Sequence, residues 1–285
     1  MMTWIYNKLI KNKFINWGIY IALMTILVLD LIIENYSNSK TDLISYNHYL
    51  IGLLIIVIYE ILRKYYKSVF NRNKAILDKI PGLLKNENLN ELIQELEKIK
   101  IISSQLIQKT YWRGVAKTYL KQSESALIDF DLIRDDYNNF PDYNYHKALA
   151  YNDINKHEDA LELLNRVIIY KPIAQVFDQR GVTFMMLERF DDAESDLKES
   201  INISEESYNT CNMGVLLSKK GEFKKAIEYF DKTIKLDSNN SIGFLNRGYC
   251  KCKDGDIKNG LIYLKKALDL GNKKAEKLIK EFENK

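Results

Sequence analysis

The sequence has few of the residues on which several protein classes depend. Among 285 residues there are three cysteines and three histidines, which are too few for a disulfide framework, and the odd cysteine count suits a reducing compartment. Three prolines and twelve glycines are also few for this length. This scarcity favours long helices joined by short turns over a β-sandwich with many turns.

The sequence also lacks an excess of charge and the motifs of common catalytic sites. Its net charge is +4, from 42 basic and 38 acidic residues, which is too balanced to indicate a nucleic-acid partner. It contains no phosphate-binding glycine loop, His-Glu-x-x-His, Gly-x-Ser-x-Gly or Cys-x-x-Cys pattern. We therefore expect no enzyme, no cofactor, no bound metal and no small-molecule substrate.

Long apolar runs are confined to the first 66 residues. Residues 14–33 form a run of about 20 residues, the length that a helix needs to cross the hydrocarbon core of a bilayer. A second, shorter apolar segment is flanked by tyrosines, as at membrane interfaces, and predicts a span near 45–64. Together they predict a two-helix transmembrane hairpin over 1–66. The alternatives are a cleaved signal peptide for the first run and a buried amphipathic helix for the second.

Basic residues near the two predicted spans indicate their orientation. They precede the first span and follow the second at Lys8, Lys11, Lys13, Arg63, Lys64, Lys67, Arg72 and Lys74. The connector between the spans holds only Lys40. The positive-inside rule then predicts cytoplasmic N- and C-termini, in an integral protein of a bacterial inner membrane. Asp30 and Glu60 lie near span ends, where an interfacial position and a role in an ion pathway both remain open.

The rest of the sequence repeats with a period of 33 or 34 residues. Small residues recur at Gly114, Ala148, Gly181, Gly214 and Gly248. Twelve residues after each stand Ala126, Ala160, Ala193, Ala226 and Gly260, and four residues further stand Phe130, Leu164, Leu197, Phe230 and Leu264. Each period predicts a helical hairpin in which small residues let two helices pack closely. Such a hairpin must stack on its neighbours to bury its apolar face.

This pattern resembles the tetratricopeptide repeat family. The agreement is best over 148–172, where Ala148, Tyr151, Ala160, Leu164 and Pro172 are all in register. The resemblance implies an all-α fold, with an α-solenoid of about five helical hairpins. The predicted units are 107–140, 141–173, 174–206, 207–240 and 241–272. Residues 67–106 are predicted as a linking helix and a degenerate half-repeat interrupted at Pro81-Gly82, and residues 273–285 as a capping helix.

The resemblance also implies a concave groove lined by the first helix of each repeat. The residues it places there for partner binding are Tyr111, Trp112, Tyr145, His146, Gln179, Asn212, Asn246 and Tyr249. The amides resemble a ladder that holds an extended peptide backbone, and the aromatic rings are candidate apolar anchors. A solvated polar helix face is the alternative explanation. The carboxylate clamp of co-chaperone members is not expected, because the asparagine that it needs is replaced by Val115, Leu149, Val182, Val215 and Tyr249.

These features together predict a membrane-anchored scaffold that binds a protein or an extended peptide in the groove of its repeats. Two alternatives remain open. One is an envelope-assembly factor whose repeats lie outside the membrane. The other is a regulatory or accessory subunit of a small membrane transport complex, for which Asp30 and Glu60 are the only support in the sequence.

One short stretch, Cys250-Lys251-Cys252, resembles a metal or redox motif. In the register of the repeats both cysteines fall on one predicted helix, two residues apart. Residues two apart on a helix are separated by roughly 200°, so the two thiols point to opposite sides and do not share an ion. We expect Cys250 to be buried as a small hydrophobic residue and Cys252 to face the groove.

Overall fold

The computed structural model describes residues 41–85, 88–99, 103–137 and 140–284, and every regular element in these ranges is an α-helix. The predicted all-α class is therefore confirmed for this part of the chain. The chain divides into two compact units, one ending at Ala116 and the other beginning at Lys117. The first contains α1 (Thr41–Leu77), α2 (Ile80–Lys85), α3 (Leu89–Glu97) and most of α4 (Ser103–Tyr119).

The first unit has its own apolar core. The interior is formed by Ile76, Ile80, Leu92, Leu96, Ile99 and Ala116. Leu92, Leu96 and Ile99 are all buried in this core. The helix break, however, lies at residues 78–79, before Pro81 rather than at it. Pro81 instead occupies the first turn of α2, where its missing N–H would have no intrahelical partner in any case.

The predicted membrane spans have different outcomes. The span at 14–33 lies outside the described residues. The span at 45–64 falls within α1, a single helix that continues to Leu77. Among the residues that the structure describes, no helix is long and apolar enough to cross a membrane, so the transmembrane hairpin is not supported.

The second unit is a series of helical hairpins. Its first complete helices are α5 (Ser123–Leu132) and α6 (Arg134–Tyr137). The first helix of each hairpin is α7 (Pro141–Asp153), α9 (Ala174–Met186), α11 (Ser207–Lys219) or α13 (Ser241–Lys253). Their partners are α8 (His157–Tyr170), α10 (Phe190–Ile203), α12 (Phe223–Leu236) and α14 (Ile257–Asp269). The last helix, α15 (Lys274–Glu283), buries Ala275, Ile279 and Phe282. The predicted solenoid of repeats is thus present in this unit, which contains four such hairpins between Pro141 and Asp269.

Small residues allow the two helices of a hairpin to approach closely. A Cβ added to Gly214 would lie 2.6 Å from Cε1 of Phe230, and one added to Gly181 would lie 2.9 Å from Cγ of Leu197. At Gly248 it would lie 2.8 Å from the carbonyl oxygen of Gly260. The periodic small residues therefore mark the contact between the helices, as the sequence predicted.

The turn between α4 and α5 and the turns inside the four hairpins have the same backbone conformation. The left-handed conformation recurs at Lys121, Asn155, Glu188, Gly221 and Gly255, with φ between 59° and 97°. In each turn the next N–H donates to a carbonyl five residues back; the Glu222 N–H, for example, lies 2.9 Å from the Leu217 oxygen. This bond satisfies a carbonyl at the end of the helix. Lys121 and Glu188 adopt this conformation without the freedom of glycine, which costs each about 1 kcal/mol.

The cysteines of the Cys-Lys-Cys stretch belong to different parts of the core. Cys250 is fully buried, with its thiol 3.3 Å from the Ser218 hydroxyl. Cys252 packs instead with Leu264 of α14, so the prediction that the thiols point apart is confirmed. The prediction that Cys252 faces the groove is wrong. Its sulfur occupies the space that Gly260 leaves open, where an added Cβ would lie only 2.3 Å away.

Candidate functional site

The structure places the predicted partner-binding residues in both units. Tyr111 and Trp112 lie on α4 in the first unit, where Tyr111 is buried and Trp112 packs against the core. The other six are all partly buried, and each lies on the first helix of a hairpin in the second unit. They are Tyr145 and His146 on α7, Gln179 on α9, Asn212 on α11, and Asn246 and Tyr249 on α13. We call these six the groove row.

One end of the groove row is aromatic. The His146 ring contacts the Tyr145 ring at 5.4 Å and the half-exposed Tyr119 ring at 5.8 Å, both edge to face. Burial lowers the pKa of His146 to about 4, because the charged imidazolium is poorly solvated there. His146 is therefore neutral at pH 7 and contributes a ring rather than a charge.

The amide of Asn212 is engaged with the preceding repeat. Its Nδ2 donates to both carboxylate oxygens of Asp178, at 2.9 and 3.0 Å. Asp178 lies on α9 and is only 7% exposed. Burial raises the pKa of Asp178 to about 6, while the hydrogen bond from Asn212 acts in the opposite direction. Asn212 therefore links two repeats, and its Oδ1 accepts no hydrogen bond from the described residues.

Asn246 has the same relation to the repeat before it. Its side chain lies near the Cys211 thiol and favours the ionised form of that thiol. Burial has the larger effect and raises the pKa of Cys211 to about 11, so the thiol is protonated at pH 7. Asp178 and Cys211 occupy the same repeat position, and each lies beside an amide of the next repeat. Two of the predicted ladder amides thus connect neighbouring repeats.

Gln179 differs from the two asparagines. Its side chain makes no hydrogen bond with the described residues, although its backbone carbonyl accepts one from the Thr183 hydroxyl at 2.8 Å. The free amide can both donate and accept. Of the predicted ladder amides, Gln179 is therefore the one whose hydrogen-bonding groups are all available to a ligand.

The far end of the groove row is held by the last helix. The Tyr249 ring lies 6.3 Å from the Phe282 ring of α15, and Lys253 Nζ lies 5.5 Å from the Tyr249 ring. This packing holds the Tyr249 ring in place, and part of the ring stays exposed. Sequence reasoning did not select Asp178 or Cys211 for partner binding. The available signal was an aspartate at a repeat position that otherwise holds aromatic or apolar residues.

Comparisons with known proteins agree with the repeat architecture. The Tetratricopeptide repeat family model matches residues 211–240, which contain α12 and most of α11. Human tetratricopeptide repeat protein 13 is 29% identical over 130 residues, which are 44% of this chain and 15% of that protein. The chain therefore spans only a small part of that relative.

Two solved structures have a similar fold. A tetratricopeptide repeat protein from Parabacteroides merdae has a TM-score of 0.56 at 15% identity, covering 70% of this chain and 80% of that one. A thermophilic tetratricopeptide repeat protein from Thermus thermophilus has a TM-score of 0.55 at 16% identity, covering 62% and 98%. The described helices are thus an α-solenoid of tetratricopeptide-like repeats. The match over 211–240 supports one tetratricopeptide repeat, formed by α11 and α12.

Proposed function

We propose that the second unit binds an extended segment of a partner protein along the groove row. The observation that carries the proposal is a line of partly exposed side chains, four of them at one repeat position, with open hydrogen-bonding groups at its centre. These are the Gln179 amide and Oδ1 of Asn212, flanked by Tyr145 and Tyr249. An extended backbone presents alternating donors and acceptors that an amide can match without reading side chains.

The same residues favour binding over catalysis. His146 has a pKa of about 4 and is neutral at pH 7, and the Cys211 thiol, with a pKa of about 11, carries almost no thiolate. A general base needs a pKa near the working pH, and a cysteine nucleophile must be ionised. We therefore propose a scaffold that recruits a protein and performs no chemistry on it.

The experiment that tests this proposal is co-purification of the full chain with its bound proteins from the native host. The Gln179→Ala variant should reduce recovery of the specific partner at least fivefold, because it removes the amide that is open to a ligand. Gln94→Ala, the same change at an exposed site on α3, is the matched control. Equal recovery with both variants, at equal folding, would contradict the proposal.

We propose further that the N-terminal residues attach the chain to a bacterial inner membrane, with both termini cytoplasmic. The support is the apolar run at 14–33, the apolar segment within 45–64 and the basic residues that flank them. In spheroplasts, a C-terminal tag should resist added protease until the membrane is opened. Digestion of the tag in intact spheroplasts would show the opposite orientation. Release of the chain from the membrane by carbonate would contradict the anchor.

A further inference from the structure

Asp178 differs from the other buried acidic residues of the chain. Within the described ranges three carboxylates are buried, those of Asp129, Asp178 and Asp196. Asp129 pairs with Lys117 Nζ at 2.8 Å, and Asp196 is bound by two guanidinium nitrogens of Arg180 at 2.6 and 2.8 Å. No Lys, Arg or His nitrogen of the described residues forms an ion pair with Asp178. Buried charges are normally paired, so Asp178 stands out as a carboxylate that could accept a cation.

Among the described residues, no positive group contributes to the titration of Asp178. Its carboxylate acts on the titration of Tyr145, Tyr208 and Cys211, and it raises the pKa of each. Burial raises these three pKa values as well, so all three groups are neutral at pH 7. Within the described part of the chain, the Asn212 amide is the one contact that favours the ionised form of Asp178. A carboxylate in this setting would be stabilised strongly by an incoming cation.

We propose that Asp178 receives a lysine or arginine side chain of the partner segment, so that the groove selects peptides with a basic residue at this point. The inference rests on the proposed function and names the chemistry of the partner. The ammonium or guanidinium would donate charge-assisted hydrogen bonds to the carboxylate. Oδ1 of Asn212 offers a second acceptor beside it, and the Tyr145 ring adds an aromatic surface that attracts cations.

A metal ion fits this site less well than a basic side chain. Calcium requires six to eight oxygen ligands and zinc requires about four ligands. In the part of the chain that the structure describes, no group of three or more His, Cys, Asp and Glu residues could hold a metal. One carboxylate and one amide oxygen are, by contrast, sufficient for a single ammonium or guanidinium group.

The test uses an array of random twelve-residue peptides probed with the full chain at pH 7.5. Each bound peptide is resynthesised with its lysines and arginines replaced in turn by norleucine or glutamine. We expect one basic residue per peptide to be required, with at least a tenfold loss of binding on its replacement. Asp178→Asn should remove this preference. Asp191→Asn, which removes the same charge from a fully exposed side chain on α10, should keep it.

The outcomes separate this inference from the proposed function. If peptides bind without needing a basic residue, or if Asp178→Asn keeps the preference, the role of Asp178 as a cation receptor is refuted and peptide binding stands. If no peptide binds, both the proposed function and this inference are contradicted. The wild type should also lose affinity for basic peptides as the pH falls through 6, because the cation requires the ionised carboxylate. Asp178→Asn should show no such loss.

Discussion

Asp178→Asn should make the unbound protein more stable at neutral pH. The pKa of Asp178 is raised from 3.8 to about 6 in the folded chain, so the folded state binds a proton more tightly than the unfolded state. The folded state therefore loses stability as the pH rises from about 4 through 6, and above pH 6 it carries the full free-energy cost of the buried charge. A displacement of this size corresponds to about 3 kcal/mol.

The expected gain from the substitution is about 1–3 kcal/mol at pH 7.5. The asparagine keeps an oxygen that accepts from Asn212, but a neutral acceptor binds more weakly than a carboxylate, which lowers the gain. At pH 4 the wild-type carboxyl is protonated and resembles the amide. The difference between variant and wild type should then shrink to within about 0.5 kcal/mol.

The three cysteines provide the assay. Cys211, Cys250 and Cys252 are all free, buried and within the second unit. After equilibration in urea at each pH, a short pulse of thiol reagent at one fixed pH reports the fraction of the second unit that is unfolded. Asp191→Asn is the control and should change stability by less than about 0.5 kcal/mol. A variant that is less stable than wild type at pH 7.5 would refute the view of Asp178 as an uncompensated buried charge.

Three further predictions concern the packing, capping and titration of the repeats. Gly214→Ala should lower the free energy of unfolding by about 1–3 kcal/mol, because its Cβ would lie 2.6 Å from the Phe230 ring on α12. Gly82→Ala is the control and should lower it by nothing, because its Cβ meets nothing within 4 Å. Urea denaturation followed by circular dichroism measures both. Asn240→Ala should cost about 1 kcal/mol, because its side chain accepts from the Gly243 N–H at 2.9 Å; an unchanged midpoint would contradict this cap. In the Asp178→Asn background, stability should rise with pH from about 4 to 6.5, because unfolded His146 binds a proton that the folded chain excludes. His146→Phe should reduce this slope; the part that remains near pH 4 belongs to groups such as Glu194, whose folded pKa is lowered to about 2.

The periodic features of the fold could be predicted from the sequence. Helix packing requires small residues at a fixed spacing, so the positions of Gly181, Gly214 and Gly248 along the chain are enough to mark the hairpins. The turns could be predicted from the sequence only in part. Asn155, Gly221 and Gly255 are ordinary turn residues, whereas Lys121 and Glu188 take the same left-handed conformation without a signal in their side chains.

The interior of the candidate site could not be predicted in the same way. Asn212 contacts Asp178, which lies 34 residues earlier, and that contact depends on how two first helices lie side by side. A repeat position alone does not show whether an amide faces a ligand or a neighbouring helix. Cys252 illustrates the same limit, because its direction is decided by the space beside Gly260.

The most direct test of the account is a photo-crosslinking measurement in living cells. The crosslinker benzoylphenylalanine replaces the exposed Gln175 on α9, one turn before Gln179, so that Gln179 and Asp178 stay intact. The same replacement of Gln94 on α3 is the control. The account predicts a specific adduct at 175, absent at 94, that maps to a partner segment with a lysine or arginine within a few residues of the crosslink. The same adducts at both positions, or none at 175 while the partner still co-purifies, would contradict it.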